Sequence, residues 1–305
     1  METVRSRTGI EVEAMDLHFQ GRPNLIASYL IRHSAGAIII ETGPGTTGTA
    51  LELELARRRL KPSDVTHVLL THIHLDHAGG AGWMAQHGAQ IYVHPNGAPH
   101  LINPEKLLHS AGRIYGDDMD RLWGAFLPVP ENQLTVLNDG DEIAVGGVSL
   151  IALDTPGHAE HHLTYVLDDI CFTGDIGGVR LPHCSVVVPP MPPPELDFDR
   201  WGKSLDRIRA QKPGFLAPTH YGFFLDPEGH LQAVQDGLDA ARQWMEAVMP
   251  EDPPVEELQS RYTAWLKERL LSQGLKPDLW PSHELINPAW MSALGLRRYY
   301  KKNMA

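Results

Sequence analysis

Cysteine is nearly absent from this chain of 305 residues, which contains only Cys171 and Cys184. Folds that rely on disulfide bonds are rich in cysteine, so a disulfide framework is excluded. Both residues lie in or near segments that resemble strands, and we expect two buried or half-buried thiols. The fold must then rest on an ordinary hydrophobic core, and a hydrophobic fraction of 42% is normal for that.

Long apolar runs are also missing. No stretch approaches the roughly 18 apolar residues that a membrane-spanning helix needs. The segment from Met1 to Arg7 lacks the apolar core of a signal peptide. These two absences predict a cytoplasmic protein with no membrane partner.

Basic residues are fewer than acidic ones: the chain has 26 Lys and Arg residues and 38 Asp and Glu residues, so its formal net charge is -12. Non-specific binding to nucleic acid depends on neutralising phosphates with Lys and Arg. The acidic composition therefore argues against a nucleic-acid partner, and we expect a small-molecule substrate.

Strand-like and helix-like segments alternate over the first 220 residues, and helix-like segments follow. This order predicts an α+β protein. Strands are predicted at 25–31, 37–40, 65–70, 90–94, 134–137, 142–145, 148–153, 163–167, 169–173 and 214–217. Helices are predicted at 47–60, 78–87, 105–110, 118–126, 198–210, 228–248, 255–272 and 289–300.

Residues 95–130 interrupt this alternation with five prolines. An insertion of this length is more often a lid or a pocket wall than an idle loop. Residues 226–305 carry four of the seven tryptophans, so these helices must pack against something. The sequence predicts a main domain over 1–225, with 95–130 as an insertion, and a helical extension over 226–305. We expect the insertion and the extension to wall a cleft or to build a homodimer.

The most informative motif is His72-Ile73-His74-Leu75-Asp76-His77, which directly follows a predicted strand. A turn at the end of a strand can direct alternate side chains toward one point. Imidazole and carboxylate together suit zinc, iron or manganese. The motif predicts metal binding by its three histidines and its aspartate.

Three further residues of ligand type each follow a predicted strand. His158 comes after a Thr-Pro-Gly turn, Asp175 after a Phe-Thr-Gly segment, and His220 after a Pro-Thr dipeptide. Strand ends are rigid supports, which a site with several ligands needs. We expect all three residues to join the same metal centre.

In this order, the motifs resemble those of the metallo-β-lactamase superfamily of hydrolases, over roughly residues 8–222. The resemblance implies a four-layered αβ/βα sandwich with the metals at one edge between the two sheets, followed here by a C-terminal helical extension. It also implies two divalent metal ions, zinc by preference, with iron and manganese as alternatives that the same ligand types accept. The first ion is then held by His72, His74 and His158, the second by Asp76, His77 and His220, and Asp175 bridges the two.

The reaction that the resemblance implies is hydrolysis by a water or hydroxide between the two metals. Zinc lowers the pKa of bound water from about 15.7 to about 7, so hydroxide is available at neutral pH. The cations also polarise a carbonyl or phosphoryl oxygen on which negative charge develops. Asp76 is the catalytic candidate, as the group that could accept or shuttle a proton.

Three other residues are candidates for supporting or substrate-facing roles. Glyoxalase II-like members of the superfamily carry a histidine at the position of His162. This resemblance predicts that His162 supports a metal ligand through a hydrogen bond. His161 stands where those members usually have a glycine. Tyr221 adjoins a predicted ligand and could polarise a substrate carbonyl. His183 could face the substrate, although a surface position is the simpler expectation.

The motifs leave the scissile bond open among ester, thioester, lactone, amide and phosphodiester. Zinc β-lactamases lack an aspartate at the bridging position, and quorum-quenching lactonases carry a tyrosine where this chain has Gly178. Glyoxalase II is the nearest well-characterised relative by motif. Two other classes stay open: a mononuclear iron oxygenase that resembles the persulfide dioxygenases, and a non-catalytic module on the same fold.

Overall fold

A computed structural model describes residues 2–304, over which the chain forms two β-sheets and eleven α-helices. The strands are β1 (Thr3–Arg5), β2 (Glu11–Asp16), β3 (Ala27–His33), β4 (Gly36–Ile40), β5 (Val65–Leu69), β6 (Gln90–Val93), β7 (Leu134–Val136), β8 (Glu142–Val145), β9 (Val148–Asp154), β10 (Leu163–Leu167), β11 (Ile170–Phe172) and β12 (Phe215–Leu216). The helices are α1 (Gly48–Arg57), α2 (Leu75–Ala78), α3 (Ala81–Gln86), α4 (Ala98–Ile102), α5 (Glu105–Tyr115), α6 (Met119–Leu122), α7 (Phe198–Ala210), α8 (Pro227–Val248), α9 (Val255–Ser272), α10 (Trp280–Ile286) and α11 (Ala289–Asn303).

The direction of the strands brings several loops to one edge of each sheet. The first sheet has the order β1-β2-β3-β4-β5-β6-β7, and its strands β4 to β7 are parallel. The second has the order β12-β11-β10-β9-β8. There β9, β11 and β12 run in one direction, because β10 is antiparallel to both β9 and β11, and β12 is parallel to β11. The loops that follow β9, β11 and β12 therefore leave the same edge.

Both sheets are buried on two faces. Ile38 and Ile40 of β4 pack into the core between the sheets, whereas Ile39 packs into the core beneath the helices. Successive side chains of a strand point to opposite faces, so a strand that is apolar at every position needs cover on both sides. The same alternation separates Leu150 from Ile151 in β9. The layers are helix, sheet, sheet and helix, which confirms the predicted α+β sandwich with C-terminal helices.

Helix α7 covers the second sheet and braces the loop after β11. Its N-cap residue is Asp197, whose carboxylate accepts hydrogen bonds from the backbone N–H groups of Asp199 and Arg200 at 3.1 and 3.0 Å. The indole N–H of Trp201, which is fully buried, donates to the carbonyl of Ile176 at 3.0 Å. The turn next to Asp175 is thereby tied to a helix.

The observed elements differ from the sequence prediction in a few places. The prediction misses β1, β2, α2, α4 and α10. Of these, β1, α2 and α4 are only three to five residues long, and α10 lies among prolines. The helix predicted over 118–126 is wrong in length: α6 ends at Leu122, and Gly124 has a φ of 64°, outside the helical region. The domain boundary after residue 225 stays a prediction. No helix within residues 2–304 is long and apolar enough to span a bilayer.

Candidate metal centre

Seven side chains of ligand type meet where the loops after β5, β9, β11 and β12 converge. They form two groups, and within each group the candidate ligand atoms lie within 4.8 Å of one another. One group is His72, His74, His158 and Asp175, and the other is Asp76, His77 and His220. All seven are residues that the sequence analysis predicts as ligands. The two predicted sets of three lie in separate groups, and Asp175, the predicted bridge, lies with the first.

Asp175 lies between the two groups. Its Oδ2 atom is 3.2 Å from Nε2 of His158 and 3.9 Å from Nε2 of His72. Its Oδ1 atom is 3.3 Å from Nε2 of His77 and 3.4 Å from Nε2 of His220. Each carboxylate oxygen thus faces a different group, which is the geometry that a bridging ligand requires.

The first group presents neutral imidazoles. Nδ1 of His74 lies 3.0 Å from Nε2 of His72 and 2.9 Å from Nε2 of His158. Burial, together with repulsion from the neighbouring imidazoles, lowers the pKa of His72 well below its usual value and that of His74 to about 3. A histidine must be neutral to bind a metal, so the ligand-competent form prevails at neutral pH.

The second group concentrates negative charge. Oδ2 of Asp76 lies 3.4 Å from Nε2 of His220 and 3.7 Å from Nε2 of His77. Burial acts to raise the pKa of Asp175, but the nearby His77, His158 and His220 hold this pKa well below its usual value. Burial acts to lower the pKa of His77, yet Asp175 and Asp76 raise it well above the usual value. Two ionised carboxylates in a buried site favour a cation.

Backbone carbonyls set the direction of two ligand rings. Nδ1–H of His158 donates to the carbonyl of Pro190 at 2.8 Å, and Nδ1–H of His220 donates to the carbonyl of Leu25 at 2.8 Å. A carbonyl can only accept, so each Nδ1 carries the proton and each Nε2 keeps its lone pair toward the centre.

Glu41 is a buried acidic residue beside the ligands that the sequence analysis does not identify. It follows β4, is fully buried, and places Oε2 3.4 Å from Nδ1 of His77 while Oε1 accepts a hydrogen bond from the backbone N–H of Thr71 at 3.1 Å. One carboxylate therefore supports both ends of the histidine motif. The sequence contained one signal for this role: Glu41 is an acidic residue at the end of the predicted strand 37–40. That strand, β4, is parallel to β5, which carries the histidine motif at its end.

Gly174 allows the loop after β11 to approach the histidine motif. A Cβ atom at this position would lie 2.5 Å from Oγ1 of Thr71 and 2.6 Å from Nε2 of His162, and its φ is +48°. A side chain here would push Asp175, the next residue, away from both groups.

The other candidates have different positions. His162 is buried beside His72, with ring centroids 5.1 Å apart, and its Nδ1 lies 3.0 Å from Oγ1 of Thr155. Tyr221 packs in the core between the sheets near Phe223, and His183 is exposed. Neither Tyr221 nor His183 lines the cavity described next.

A cavity of about 630 Å³ opens beside the two ligand groups. His74, Asp76, His158 and Asp175 contribute to its lining. The rest of the wall comes mainly from the insertion at 95–130, from a passage at 190–195 and from residues 286–292. Both the insertion and the C-terminal helices thus contribute to the wall of the cleft.

The residues fit two divalent cations. Nε2 of His77 and Oδ1 of Asp175 are buried and have no hydrogen-bond partner among residues 2–304. Unpartnered buried polar atoms are costly, and here they point toward one another from separate loops. Nitrogen and carboxylate ligands in sets of three or four match zinc, iron and manganese.

Comparison with known proteins agrees with this geometry. The family profile described as "Metallo-beta-lactamase superfamily" matches residues 21–220. A metallo-beta-lactamase fold-containing protein of Sulfurisphaera tokodaii is 30% identical over 160 residues, which is 51% of this chain and 60% of that protein. A hydroxyacylglutathione hydrolase of Aeromonas salmonicida is 31% identical over 147 residues, which is 48% of this chain and 44% of that protein.

A crystal structure of a metallo-beta-lactamase family protein from Thermus thermophilus has a similar fold. Its TM-score is 0.67 at 21% identity, and the match covers 95% of this chain and 93% of that one. The curated relatives, by contrast, are matched over less than two thirds of their length.

Proposed function

The chain belongs to the metallo-beta-lactamase superfamily, and from this membership we propose that it is a hydrolase that uses two divalent metal ions, zinc by preference. The observation that carries the proposal is the position of Asp175, whose two oxygens face two separate ligand groups. The first ion would be held by His72, His74 and His158, and the second by Asp76, His77 and His220. When bound, the ions supply Lewis acidity and a lowered pKa for water.

The chain's own residues account for orientation and proton transfer. Asp76 lines the cavity, and its side chain is 16% exposed, whereas His77 in the same group is fully buried. Its carboxylate is therefore the one in this group that can reach a water molecule in the cavity and accept a proton from it. Glu41 and the backbone carbonyls fix the ligand rings, so that little reorganisation is needed during the reaction.

The proposed reaction cleaves an ester, thioester, lactone or related bond of a small molecule. Water adds its oxygen to the acyl carbon, the bond from that carbon to sulfur or oxygen breaks, and a carboxylate, a thiol or alcohol, and a proton are produced. A relative whose name is hydroxyacylglutathione hydrolase supports hydrolysis. The alternative, an oxygenase with one iron ion, would leave the complete group of Asp76, His77 and His220 without a role.

Metal analysis of matched variants tests the proposal. Asp76 faces only the second group, whereas Asp175 faces both. We expect close to two zinc ions per chain in the unaltered protein, about one in Asp76→Asn, and fewer than one in Asp175→Asn, measured by mass spectrometry. Asp120→Asn, an exposed change on α6, is the control.

Hydrolysis is measured on the same samples with ester, thioester and lactone substrates. Activity should require added zinc and should fall at least about a hundredfold in Asp175→Asn, because this change disturbs both groups. A single iron ion per chain, together with oxygen consumption, would contradict the proposal and favour the oxygenase.

A further inference from the structure

The cavity beside the ligands is walled by three segments that lie far apart in the sequence. Helix α5 contributes Leu107, Ala111 and Tyr115. The second segment is the passage 190–195. The third is residues 286–292, which run from the last residue of α10 into the first turn of α11. Its volume of about 630 Å³ lies within the range of roughly 300–1,000 Å³ that is typical of small-molecule pockets.

The proline-rich part of the wall offers few backbone hydrogen-bond donors. Seven prolines line the cavity, four of them in the passage 190–195. Proline has no backbone N–H group, and the carbonyl of Pro190 already accepts a hydrogen bond from His158. An extended peptide that pairs with a protein edge needs alternating donors and acceptors. These walls therefore suit an apolar group much better than a peptide.

Polarity changes from the interior of the cavity to its rim. Met191, Met291 and Trp123 are buried lining residues, whereas the charged lining residues Lys106 and Glu160 are exposed. Besides the predicted ligands, the buried polar groups of the lining are His161, the indole N–H of Trp123, Ser292 and Asn287. Ser292 uses its hydroxyl to accept a hydrogen bond from the N–H of Met191 at 3.2 Å. Nδ1 of His161 and Nε1 of Trp123 have no hydrogen-bond partner within residues 2–304. Asn287 adds one side-chain amide, whose Nδ2 has no partner within residues 2–304.

From this wall we infer that the substrate carries a medium-length apolar acyl group, which occupies the cavity while its carbonyl meets the metal ligands. The inference rests on the proposed hydrolase function. Burial of each methylene in such a wall is worth about 0.8 kcal/mol, which corresponds to about a fourfold change in kcat/KM. Because the apolar wall begins beside His74 and Asp76, the acyl chain enters it directly from the reacting carbon.

The test is a series of acyl thioesters of N-acetylcysteamine, from acetyl through butyryl and hexanoyl to octanoyl, with the zinc-loaded protein. We expect kcat/KM to rise by up to about fourfold for each added methylene until the cavity is filled. Values that stay flat or fall along the series would overturn the inference and leave the hydrolase proposal intact. Failure to hydrolyse any member with both ions bound would instead overturn the proposed function.

Two variants locate the acyl group. Ala111→Phe places a bulky side chain into the cavity from α5 and should abolish the preference for octanoyl over acetyl. Leu53→Phe makes a similar change at a position on α1 that is 56% exposed and should leave the preference unchanged. Because Ala111 is itself buried, folding is checked by circular dichroism.

Calorimetric titration with octanoate gives a readout that is independent of turnover. Saturable binding should occur in the unaltered protein and in Leu53→Phe, and it should be weakened at least about tenfold in Ala111→Phe. Equal octanoate affinity in all three proteins would place the acyl group elsewhere and overturn the inference.

Discussion

At the scale of single residues, the centre depends on buried groups that hold its ligands. Glu41 lies beneath the histidine motif, and its carboxylate contacts the ring of His77 and the backbone of Thr71. Such a group orients a ligand ring and raises the basicity of the ring nitrogen that binds the metal. Its position could not be predicted from the sequence, because Glu41 and His77 lie 36 positions apart and only the pairing of β4 with β5 brings them together.

Glu41→Gln should weaken zinc binding at the second group by about tenfold to a hundredfold, because the amide keeps the shape of the side chain and removes its charge. Zinc affinity is measured by competition with a chelator at pH 7. Glu52→Gln, an exposed change on α1, is the control and should leave the affinity unchanged. Equal affinities in the two variants would show that Glu41 does not support His77.

Tyr221 shows how far adjacency in the sequence can mislead. It follows a predicted ligand, yet its ring packs in the core between the sheets. His183 lies on the exposed side of a turn after the Asp175 loop, which is the surface position that was the simpler expectation. The direction of a side chain in an irregular loop is set by the contacts of that loop, which no short motif encodes.

At the scale of elements, helix α8 is tied to the turn that carries Asp175. Nε2–H of His230 donates to the carbonyl of Gly177 at 2.7 Å, and Nδ1 accepts from the guanidinium of Arg180 at 3.2 Å. This arrangement requires a neutral ring, since a proton on Nδ1 would face another donor. Burial is the main cause that lowers the pKa of His230 to about 4.

The stability of the protein should consequently depend on pH through His230. The unfolded chain binds a proton near pH 6.5, whereas the folded chain binds it only near pH 4, so the contribution is complete above pH 6.5 and is lost as the pH falls toward 4. The loss is at most about 3 kcal/mol. His230→Gln should show a smaller decrease in the free energy of unfolding between pH 7 and 4.5, measured with urea, than the unaltered protein.

The control for this experiment is His109→Gln, an exposed change on α5. It should retain the full decrease, since His109 is exposed and takes no part in the contacts of His230. A decrease that is identical in His230→Gln and His109→Gln would contradict the assignment to His230.

At the scale of the whole molecule, the C-terminal helices complete the cavity. Helix α11 approaches the proline passage so closely that a Cβ atom on Gly295 would lie 1.9 Å from the carbonyl oxygen of Met191. Met291 and Ser292 of the same helix line the cavity. The predicted extension over 226–305 is therefore in contact with the part of the chain that carries the ligands.

Gly295→Ala should destabilise the protein by about 1–3 kcal/mol, because backbone atoms must move to accommodate the methyl group. Gly112→Ala is the matched control: it also lies within a helix, but a Cβ atom there has no neighbour within 4 Å. It should be neutral or stabilise by about 0.5–1 kcal/mol, the usual gain of alanine over glycine in a helix. Equal free energies of unfolding in the two variants would show that the packing of α11 on the proline passage contributes little to the stability of the protein.

The ligand types, their order and their placement after strands can be predicted from the amino-acid sequence, because the period of a strand and the turn that ends it are local properties. His72, His74, Asp76 and His77 could be grouped on spacing alone. Three features become apparent only in the folded chain: which oxygen of Asp175 faces which group, the contact of Glu41 with His77, and the cavity enclosed by α5, the proline passage and α11. These features depend on strand order and on packing between distant segments, because such contacts form only when the whole core has assembled.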